Sequence, residues 1–567
     1  MNRTPEAHDG KNARHHYAHH STGGRRWRWL PVAPLIAGVA ALVWLLLRTG
    51  TKPSRLSYPC QQAAFSTASL TLGAPLVLAL LAARRRVMLV LRARAGVASA
   101  ALALFAVAGV WGLLRPARGG WPPPGPPLDY RARVFHVTDC PPAPVGERFP
   151  GLDNLLRLMG REGLKFYRSA TPSPTAGPDG IIAADDVVVV KINYQWAERG
   201  GTNVDLLRGL LYRLVHHPDG FAGEVIVCEN AQFALTENFD RAANNAEDPA
   251  LSPRDVVEAF AAQGQRVSLV DWTPLRNTAV NEFSSADLRS GYVVDAYNSQ
   301  LQGRVSYPKF QSTYGTYVSL KYGIWQPGSA TYDRAHFKFI NLPVLKSHHA
   351  VYGATACVKH YMGVVTGNLS TNSHNAIARG ILGAVMAEIQ PADLNILDCI
   401  WINANPYSGP GTSYGGATRR DELVAGTDPV AADIWAVKNI LIPAFMANGY
   451  APPWPAPSAD PDNPAGAFRN YLDRAMGYLL AGGYSVTNDL AQIDAFSWNG
   501  RGDLNCDGFV NNFDIDPFGL ALVSPDDYAQ QYPGCDRMLA DVNVDGRVDN
   551  FDIDPFVDCL VNGACPP

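Results

Sequence analysis

The feature that most constrains this chain is an internal repeat near its carboxyl end. The heptapeptide NFDIDPF occurs at Asn512–Phe518 and again at Asn550–Phe556. Each copy closes a twelve-residue stretch with oxygen-bearing side chains at positions 1, 3, 5, 9 and 12 and glycine at position 6, which is the pattern of a calcium loop. Two such loops predict two Ca²⁺ ions. Their ligands, including a backbone oxygen at position 7, are Asp503, Asn505, Asp507, Phe509, Asn511 and Asp514 in the first loop, and Asp541, Asn543, Asp545, Arg547, Asp549 and Asp552 in the second.

Charge is distributed unevenly along the 567 residues. Residues 501–567 hold thirteen Asp, three Arg and no Glu or Lys, whereas the whole chain has a net charge of only −3. An acidic tail of this kind marks a specialised module. The overall balance lacks the strongly basic character of a nucleic-acid-binding protein, so no nucleic-acid partner is expected.

The amino end has the composition of a membrane region. Three apolar stretches, Pro31–Leu47, Gln61–Ala83 and Gly96–Leu114, are each near the length that crosses a bilayer. Arginines are concentrated in residues 1–30 and between the second and third stretches, which predicts a cytoplasmic basic tail, three transmembrane helices and a main domain outside the cytoplasm. If the weaker second stretch stays out of the bilayer, two spans remain and the main domain is cytoplasmic.

Cysteine positions favour an oxidising compartment. Four of the nine cysteines lie in the last 62 residues, where a small module benefits from disulfides. Proximity in sequence favours the pairs Cys506–Cys535 and Cys559–Cys565 over the other two connectivities. A Cys60–Cys140 pair fits the three-span topology. Three further cysteines in apolar contexts are expected to be buried free thiols, namely Cys228, Cys357 and Cys399.

Between the membrane region and the tail, strands and helices alternate. Residues 115–129 form a Pro/Gly linker, 130–450 the alternating domain, 451–500 a second Pro-rich linker with a mixed segment, and 501–567 the calcium module. This order predicts an α/β domain with a mainly parallel sheet flanked by helices. Residues 277–333 are rich in Gly, Ser and Tyr and are interpreted as a long insertion. Strands are predicted at Asp186–Ile192, Gly223–Cys228, Arg266–Val270, Phe337–Leu342, Leu394–Ile402 and Glu422–Ala425, and helices at Asn203–His216, Pro253–Ala262, Ala376–Glu388 and Val430–Ile442.

Basic residues follow two of these strands and suggest a ligand site. Lys191 ends one strand, and Lys346 and His348 follow another, so both sets are expected at the carboxyl edge of the sheet, where open α/β sheets bind ligands. With Lys359 they would form a cationic cluster for phosphate or carboxylate, and His348 would exchange protons near neutral pH. Replacing Lys346 with Ala is expected to change stability by no more than about 1 kcal/mol, as surface substitutions do.

The same segment offers ligands for a second, unidentified divalent metal. The candidates are His348, His349, His360, His374, Asp398, Asp428 and Asp433. The alternative is structural: a lysine at a strand end is often merely solvated, Asp428 before Pro429 is suited to cap a helix, and Asp433 suits a first helical turn.

The central domain resembles a bacterial and archaeal family known as the domain of unknown function 362. The motifs that carry the resemblance span about Asp185–Ile442. They are VVVVKINY at Val187–Tyr194, NLPVLKSHH at Asn341–His349, ATACVKHYMG at Ala354–Gly363, LDCI at Leu397–Ile400, GP at Gly409–Pro410 and GTDPVAAD at Gly426–Asp433. The chain departs from the family pattern at Ile192 and His360 and lacks the cysteine clusters of some relatives. The resemblance implies a fold but no settled reaction.

The tail resembles type I dockerins, which are duplicated loop–helix modules that bind calcium. The resemblance implies a protein partner of the cohesin type, contacted through loop positions 10 and 11. Dockerins carry small or hydroxyl residues there, whereas this chain has Asn512–Phe513 and Asn550–Phe551.

Two functions follow from these features. The first is a membrane-anchored protein outside the cytoplasm, whose α/β domain handles a small anionic substrate and whose tail binds calcium. The second is a cell-surface assembly or scaffold protein that recruits a partner through the tail, in a setting linked to polysaccharide breakdown. The residues leave open whether the protein is an enzyme. Phosphate-loop and dinucleotide-binding motifs are absent from the sequence.

Overall fold

A computed structural model describes residues 129–140, 144, 146–232, 239–370, 373–454, 458–507, 509–533 and 535–562. The chain divides into two compact units, Met1–Pro116 and Ala117–Pro567. The predicted basic tail and the three predicted spans lie outside the described residues. Within the described part, one helical segment, Pro429–Ala447, is long and apolar enough to cross a membrane, but 61% of it is buried inside the second unit. It is a core helix of the α/β domain.

The described part contains eighteen strands. In chain order they are β1 (Ala132–Val137), β2 (Tyr167–Arg168), β3 (Ala176–Gly177), β4 (Val187–Lys191), β5 (Glu224–Glu229), β6 (Val267–Asp271), β7 (Ala279–Val280), β8 (Gly291–Val294), β9 (Ser306–Gln311), β10 (Tyr317–Ser319), β11 (Gly323–Gln326), β12 (Thr331–Asp333), β13 (Phe337–Asn341), β14 (Val344–His348), β15 (Gly353–Thr355), β16 (Leu394–Asn403), β17 (Thr418–Gly426) and β18 (Ile493–Trp498).

The helices of the described part lie between and after these strands. They are α1 (Pro150–Arg161), α2 (Val204–Val215), α3 (Pro253–Ala262), α4 (His349–Tyr352), α5 (Cys357–His360), α6 (Ile381–Ile389), α7 (Pro429–Ala436), α8 (Ile442–Ala447), α9 (Ala467–Ala481), α10 (Ile515–Val523), α11 (Pro525–Gln531) and α12 (Ile553–Asn562). A π-helical segment, Val437–Leu441, joins α7 to α8.

A ten-stranded mixed sheet forms the centre of the α/β domain. Its strand order is β18-β1-β17-β16-β13-β4-β5-β6, and β14 and β15 extend from β16. Strands β6, β5, β4, β13 and β16 run parallel, as predicted, while β17 is antiparallel to β16. The run of valines in β4 is buried on both faces, because Val189 packs into one hydrophobic cluster and Val188 and Val190 into the other.

The order of the parallel strands creates a topological switch point. From β4 the chain moves outward through β5 to β6, and then returns to place β13 on the other side of β4. Loops therefore diverge from the carboxyl ends of β4 and β13, and open α/β sheets bind their ligands at such a point. Lys191 and Asn341 are the last residues of these two strands and pair with each other in register.

Two segments differ from the sequence interpretation. The insertion at 277–333 forms a second sheet of six short strands, β12-β11-β10-β9-β8-β7, whose buried Tyr292, Phe310 and Val318 join the core. The segment 451–500, interpreted as a linker and mixed segment, belongs to the α/β domain: α9 packs on α6, and β18 pairs in parallel with β1. The Pro-rich start of the segment favoured a linker interpretation. The elements after it were missed because their partners, β1 and α6, lie far away in sequence.

The tail has a small core of its own and repeats one structural unit. In each copy a loop leads through a short 3₁₀ turn, Asn512–Asp514 or Asn550–Asp552, into a helix, α10 or α12. Phe518 and Phe556, which are equivalent in the repeat, stack with ring centroids 4.0 Å apart. The sequence repeat is therefore also a repeat in structure.

The disulfide prediction is confirmed for Cys506–Cys535. Cys559 is also disulfide-bonded, and its predicted partner Cys565 lies outside the described residues. The Cys60–Cys140 pair is wrong, because Cys140 is a buried free thiol in contact with helix α1. Three other cysteines are buried and free, as expected: Cys228, Cys357 and Cys399.

Candidate functional site

Polar side chains converge at the switch point of the ten-stranded sheet. Lys191 ends β4, Glu229 ends the neighbouring strand β5, and Asn341 ends β13 on the other side. All three side chains are buried, with at most 4% of their surface exposed. Burying ionisable groups is costly unless they are paired or functional, so this edge of the sheet is the candidate site.

Lys191 is the fully partnered member of the site. Its ammonium group donates to Glu229 Oε2 at 3.2 Å, to the Ile192 carbonyl at 3.3 Å and to His360 Nε2 at 2.9 Å. An ammonium group has three hydrogens, and each has an acceptor here. Burial lowers the pKa of Lys191, while Glu229 opposes that shift. The same burial raises the pKa of Glu229 to about 7.

The hydrogen-bond chain fixes the tautomer of His360. Asn341 uses its amide nitrogen to donate to Asn395 Oδ1 at 2.9 Å and to the Cys357 carbonyl at 3.2 Å, so its oxygen is the acceptor that faces His360 Nδ1 at 2.6 Å. His360 therefore carries its proton on Nδ1 and accepts from Lys191 through Nε2. Burial and the nearby lysines hold the pKa of His360 well below its ordinary value, so the ring is neutral.

A short helix, α5, brings Lys359 and His360 to the site. The carboxylate of Asp433, on helix α7, accepts from the Cys357 N–H at 2.6 Å and the Val358 N–H at 3.0 Å. These are amides at the start of α5 that have no partner within the helix. Asp433 thus holds the helix that carries the two basic residues, which is a positioning role.

Lys346 and Lys359 are buried but poorly partnered. Lys346, on β14, is 1% exposed and donates one hydrogen bond, to the Gly200 carbonyl at 2.5 Å. Lys359 is 5% exposed and lies over the ring of Tyr352 at 4.7 Å, with no carboxylate in ion-pair contact among the described residues. Burial lowers the pKa of Lys346 to about 7, helped by the charge of Lys359, and burial alone lowers the pKa of Lys359 to about 7. The expectation that Lys346 is a surface residue is wrong, because Lys346 lies within β14 between β15 and β16 and is 1% exposed.

His348 lies on the same face of β14 as Lys346, since alternate residues of a strand share a face. Its Nδ1 is 2.7 Å from Thr355 Oγ1 on β15. Burial, and then the charges of Lys359 and Lys346, hold the pKa of His348 far below its ordinary value. His348 is therefore neutral at physiological pH, and proton exchange near neutrality falls to Lys346 and Lys359 instead. His348 and His374 are half-buried, so the site opens to solvent on their side.

The structure places Lys191 at the end of β4, and Lys346 and His348 on β14. The charges of Lys191, Lys346 and Lys359 all help to lower the pKa of His360. The charges of Lys346 and Lys359 also help to lower the pKa of His348. Sequence reasoning missed Glu229 and Asn341. Both end predicted parallel strands next to Lys191, so the rule that located Lys191 would also have located them.

The proposed second metal finds no support here. Within the described residues, no group of three or more His, Cys, Asp or Glu side chains is gathered closely enough to hold a metal ion. Asp428 caps helix α7 by accepting from the N–H groups of Val430 and Ala431 at 2.8 and 3.0 Å, which confirms its structural interpretation. Asp398 accepts from two backbone N–H groups, those of Asn203 and Ile400, and burial raises its pKa to about 6.

Comparison with known proteins identifies part of this domain. Residues 253–438 match the family described as Domain of unknown function (DUF362). The match covers about a third of the chain and contains Lys346, His348, Lys359 and His360, while Lys191 lies before it. No curated protein and no solved structure matches the chain. The match supports the resemblance of the central domain to this family. The family description names no reaction, so the chemistry of the domain follows only from the geometry of the site.

The two predicted calcium loops have matching hydrogen bonds. The carboxylate at position 12 turns toward backbone N–H groups: Asp514 accepts from Leu504, Asn505 and Asn511 at 2.8 to 3.0 Å, and Asp552 accepts from Asn543 and Asp549 at 3.1 and 2.9 Å. The loop carboxylates therefore do not converge on a common centre. The donor set nevertheless consists of oxygen atoms only, which is the chemistry that Ca²⁺ requires.

Proposed function

We propose that the α/β domain binds a small anionic substrate, carrying a phosphate or carboxylate group, at the carboxyl edge of β4 and β13, and acts on it as an enzyme. One observation carries this proposal: Lys346 and Lys359 are both buried at a topological switch point without a carboxylate partner among the described residues. Two desolvated ammonium groups within electrostatic range of each other destabilise the protein unless an anion compensates them.

An anion between these lysines supplies what the protein does not. Glu229 is already paired with Lys191 at 3.2 Å, and both oxygens of Asp398 accept backbone hydrogen bonds. A ligand oxygen would be the charged acceptor for Lys346 and Lys359, and lysine binds phosphate and carboxylate as a point charge.

A ligand screen by thermal unfolding tests this function. The full chain is heated with inorganic phosphate, sulfate, citrate or, as a control for ionic strength, chloride. We expect a multivalent anion to raise the melting temperature of the wild type, because a ligand that binds only the folded state stabilises it. The Lys346→Met/Lys359→Met variant should lose this response. The proposal fails if every anion acts as chloride does, or if the double variant responds like the wild type.

We further propose that the tail binds two calcium ions through the twelve loop residues named above, with Ca²⁺ neutralising the acidic side chains. Two observations support this proposal. The ligands have the same spacing in both loops, and Asn511 and Asp549 cap the two 3₁₀ turns in the same way. Calorimetric titration of the full chain with CaCl₂ should show uptake that is lost in Asp503→Ala/Asp541→Ala and kept in the control Asp526→Ala, whose carboxylate lies outside both loops. Absence of uptake by the wild type at millimolar Ca²⁺ would reject the loops.

The alternative function, assembly at the cell surface through the tail, is favoured by one observation. Phe513 and Phe551, at equivalent positions of the repeat, are 70% and 69% exposed. Such exposed aromatic pairs are typical of protein interfaces. Sedimentation with a type I cohesin should show a calcium-dependent complex that Phe513→Ser/Phe551→Ser abolishes. If no complex forms, the dockerin-like partner is wrong.

We propose the three-span topology for the membrane region, which places both sites outside the cytoplasm. It is supported by the arginine distribution. Alkaline phosphatase fused after Gly119 should be active. An inactive phosphatase together with a bright fluorescent-protein fusion at the same residue would reject this topology.

A further inference from the structure

We propose that Lys346 is a nucleophilic lysine, which forms an imine with the carbonyl group of an anionic oxo compound such as a 2-oxo acid. This role rests on the anion site proposed above. It adds the class of substrate and the bond that forms. The inference comes from the different surroundings of the three buried lysines of this site, Lys191, Lys346 and Lys359.

The hydrogen bonds of Lys346 leave its nitrogen free to react. A lysine attacks a carbonyl carbon through the lone pair of its neutral amine, which must not be held as an ammonium ion by a carboxylate. Lys346 donates only to the Gly200 carbonyl, at 2.5 Å, and has no carboxylate in ion-pair contact within the described residues. Lys191 is the contrasting case, because Glu229 and His360 fix its ammonium group.

Lys359 has two roles in the proposed imine formation. Its positive charge destabilises the ammonium form of Lys346, and a desolvated lysine next to another cation is a recognised way to activate an amine. Lys359 itself has only the Tyr352 ring as a charge-stabilising contact, at 4.7 Å. It is therefore placed to bind the carboxylate of the same substrate whose carbonyl reacts with Lys346.

His348 is the more exposed neighbour of Lys346 on β14. The two side chains lie on one face of β14, and His348 is half-buried where Lys346 is buried. Its Nδ1 contacts Thr355 Oγ1 at 2.7 Å, and the ring is neutral. A neutral imidazole both accepts and donates protons, so His348 is placed to pass protons during imine formation.

The step balances without an oxidant or a further reactant. The Nζ lone pair forms a bond to the carbonyl carbon and gives a carbinolamine. The carbinolamine oxygen then leaves as water, carrying the two hydrogens that were on the amine, and a carbon–nitrogen double bond remains. No electrons are transferred to or from the pair, and water reverses the step. Lys346 is thus assigned as a catalytic residue and His348 as its proton relay.

Reductive trapping tests this assignment. The full chain is incubated at neutral pH with glyoxylate, pyruvate or 2-oxoglutarate and sodium cyanoborohydride, digested, and analysed by peptide mass spectrometry. We expect a stable secondary amine on Lys346 with at least one of these acids. Lys346→Arg, which keeps the charge, should not be labelled at this position. Lys359→Gln should reduce labelling of Lys346 at pH 7 by about fivefold if the loss of its charge raises the pKa of Lys346 from about 7 by about one unit.

Three outcomes separate this inference from the proposed function. Inorganic phosphate that stabilises the wild type, without labelling of Lys346, overturns the imine and leaves the anion site intact. Loss of both effects overturns both. Labelling spread evenly over half-buried lysines such as Lys165 and Lys438 also overturns the imine, since it is the reaction of any accessible amine. Near-ultraviolet circular dichroism of Lys346→Arg and Lys346→Met ensures that folded variants are compared.

Discussion

The buried lysines of the candidate site form two ends, Lys191 at one and Lys346 with Lys359 at the other. The two ends differ in how the buried positive charge is compensated. At the Lys191 end, every ammonium hydrogen has an acceptor, and Glu229 supplies the opposite charge. At the other end, Lys346 has one carbonyl acceptor and Lys359 an aromatic ring. The first end is a self-contained structural pair, and the second has no carboxylate in ion-pair contact within the described residues. Burial of a lysine therefore marks a binding site only where its partners are missing.

The largest expected effect is at the structural end. Lys191→Met should lower the free energy of unfolding by about 3–5 kcal/mol, because it leaves the buried carboxylate of Glu229 without its cation. Urea unfolding followed by circular dichroism measures this. The double variant Lys191→Met/Glu229→Met, which removes both charges, should recover much of the loss. A single variant as stable as the wild type would mean that the pair is not structural.

Gly363 tests the same end through packing. A methyl group at this position would lie closer to Glu229 Oε1 and Lys191 Nζ than a carbon atom can approach. Both groups are held by hydrogen bonds, so Gly363→Ala should lower the free energy of unfolding by about 1–3 kcal/mol, as overpacking does. Gly519→Ala is the matched control, since no atom lies within 4 Å of the added methyl group. Equal stability of the two variants would contradict the tight contact.

The opposite sign is expected at the ligand end. Lys346→Met should raise the free energy of unfolding at neutral pH by about 0.5–2 kcal/mol, because it removes a desolvated cation and leaves no carboxylate unpaired. The same variant should lose the response to phosphate. A destabilised Lys346→Met protein would show that Lys346 has a structural partner, as Lys191 has.

The pH dependence of stability tests the same lysine. The pKa of Lys346 is about 7 in the folded protein, against about 10.4 in an unfolded chain. Between these values the unfolded state binds more protons, so stability rises with pH. The wild type should therefore gain stability relative to Lys346→Met from pH 7 to pH 10. Parallel urea titrations of both proteins check this, and equal slopes would contradict the lowered pKa.

Much of the fold follows from local sequence patterns, and the exceptions depend on distant partners. Strands β4, β5 and β6 are continuous apolar runs that a buried parallel sheet requires, so their bounds were predicted within about one residue. The six-stranded sheet was missed because its strands are short and rich in Gly, Ser and Tyr. Strand β18 was missed because only its pairing with β1 makes it part of the sheet.

The candidate site was predicted in position but not in environment. A lysine that ends an apolar run is visible in the sequence, and this located Lys191 and Lys346 at one edge of the sheet. Lys346 is buried within β14 between β15 and β16, and β15 is a strand of only three residues with no recognisable period. The neutrality of His348 follows from its burial and then from the charges of Lys359 and Lys346, which no local pattern contains.

Proton uptake on anion binding tests the central claim most directly. Phosphate is titrated into the full chain by isothermal calorimetry at pH 8, in two buffers with different ionisation enthalpies. If Lys346 and Lys359 are held largely uncharged until an anion arrives, binding should take up protons from the buffer, and Lys346→Met/Lys359→Met should neither bind phosphate nor take up protons. Phosphate binding with the same enthalpy in both buffers, or binding that survives in the double variant, would contradict the account.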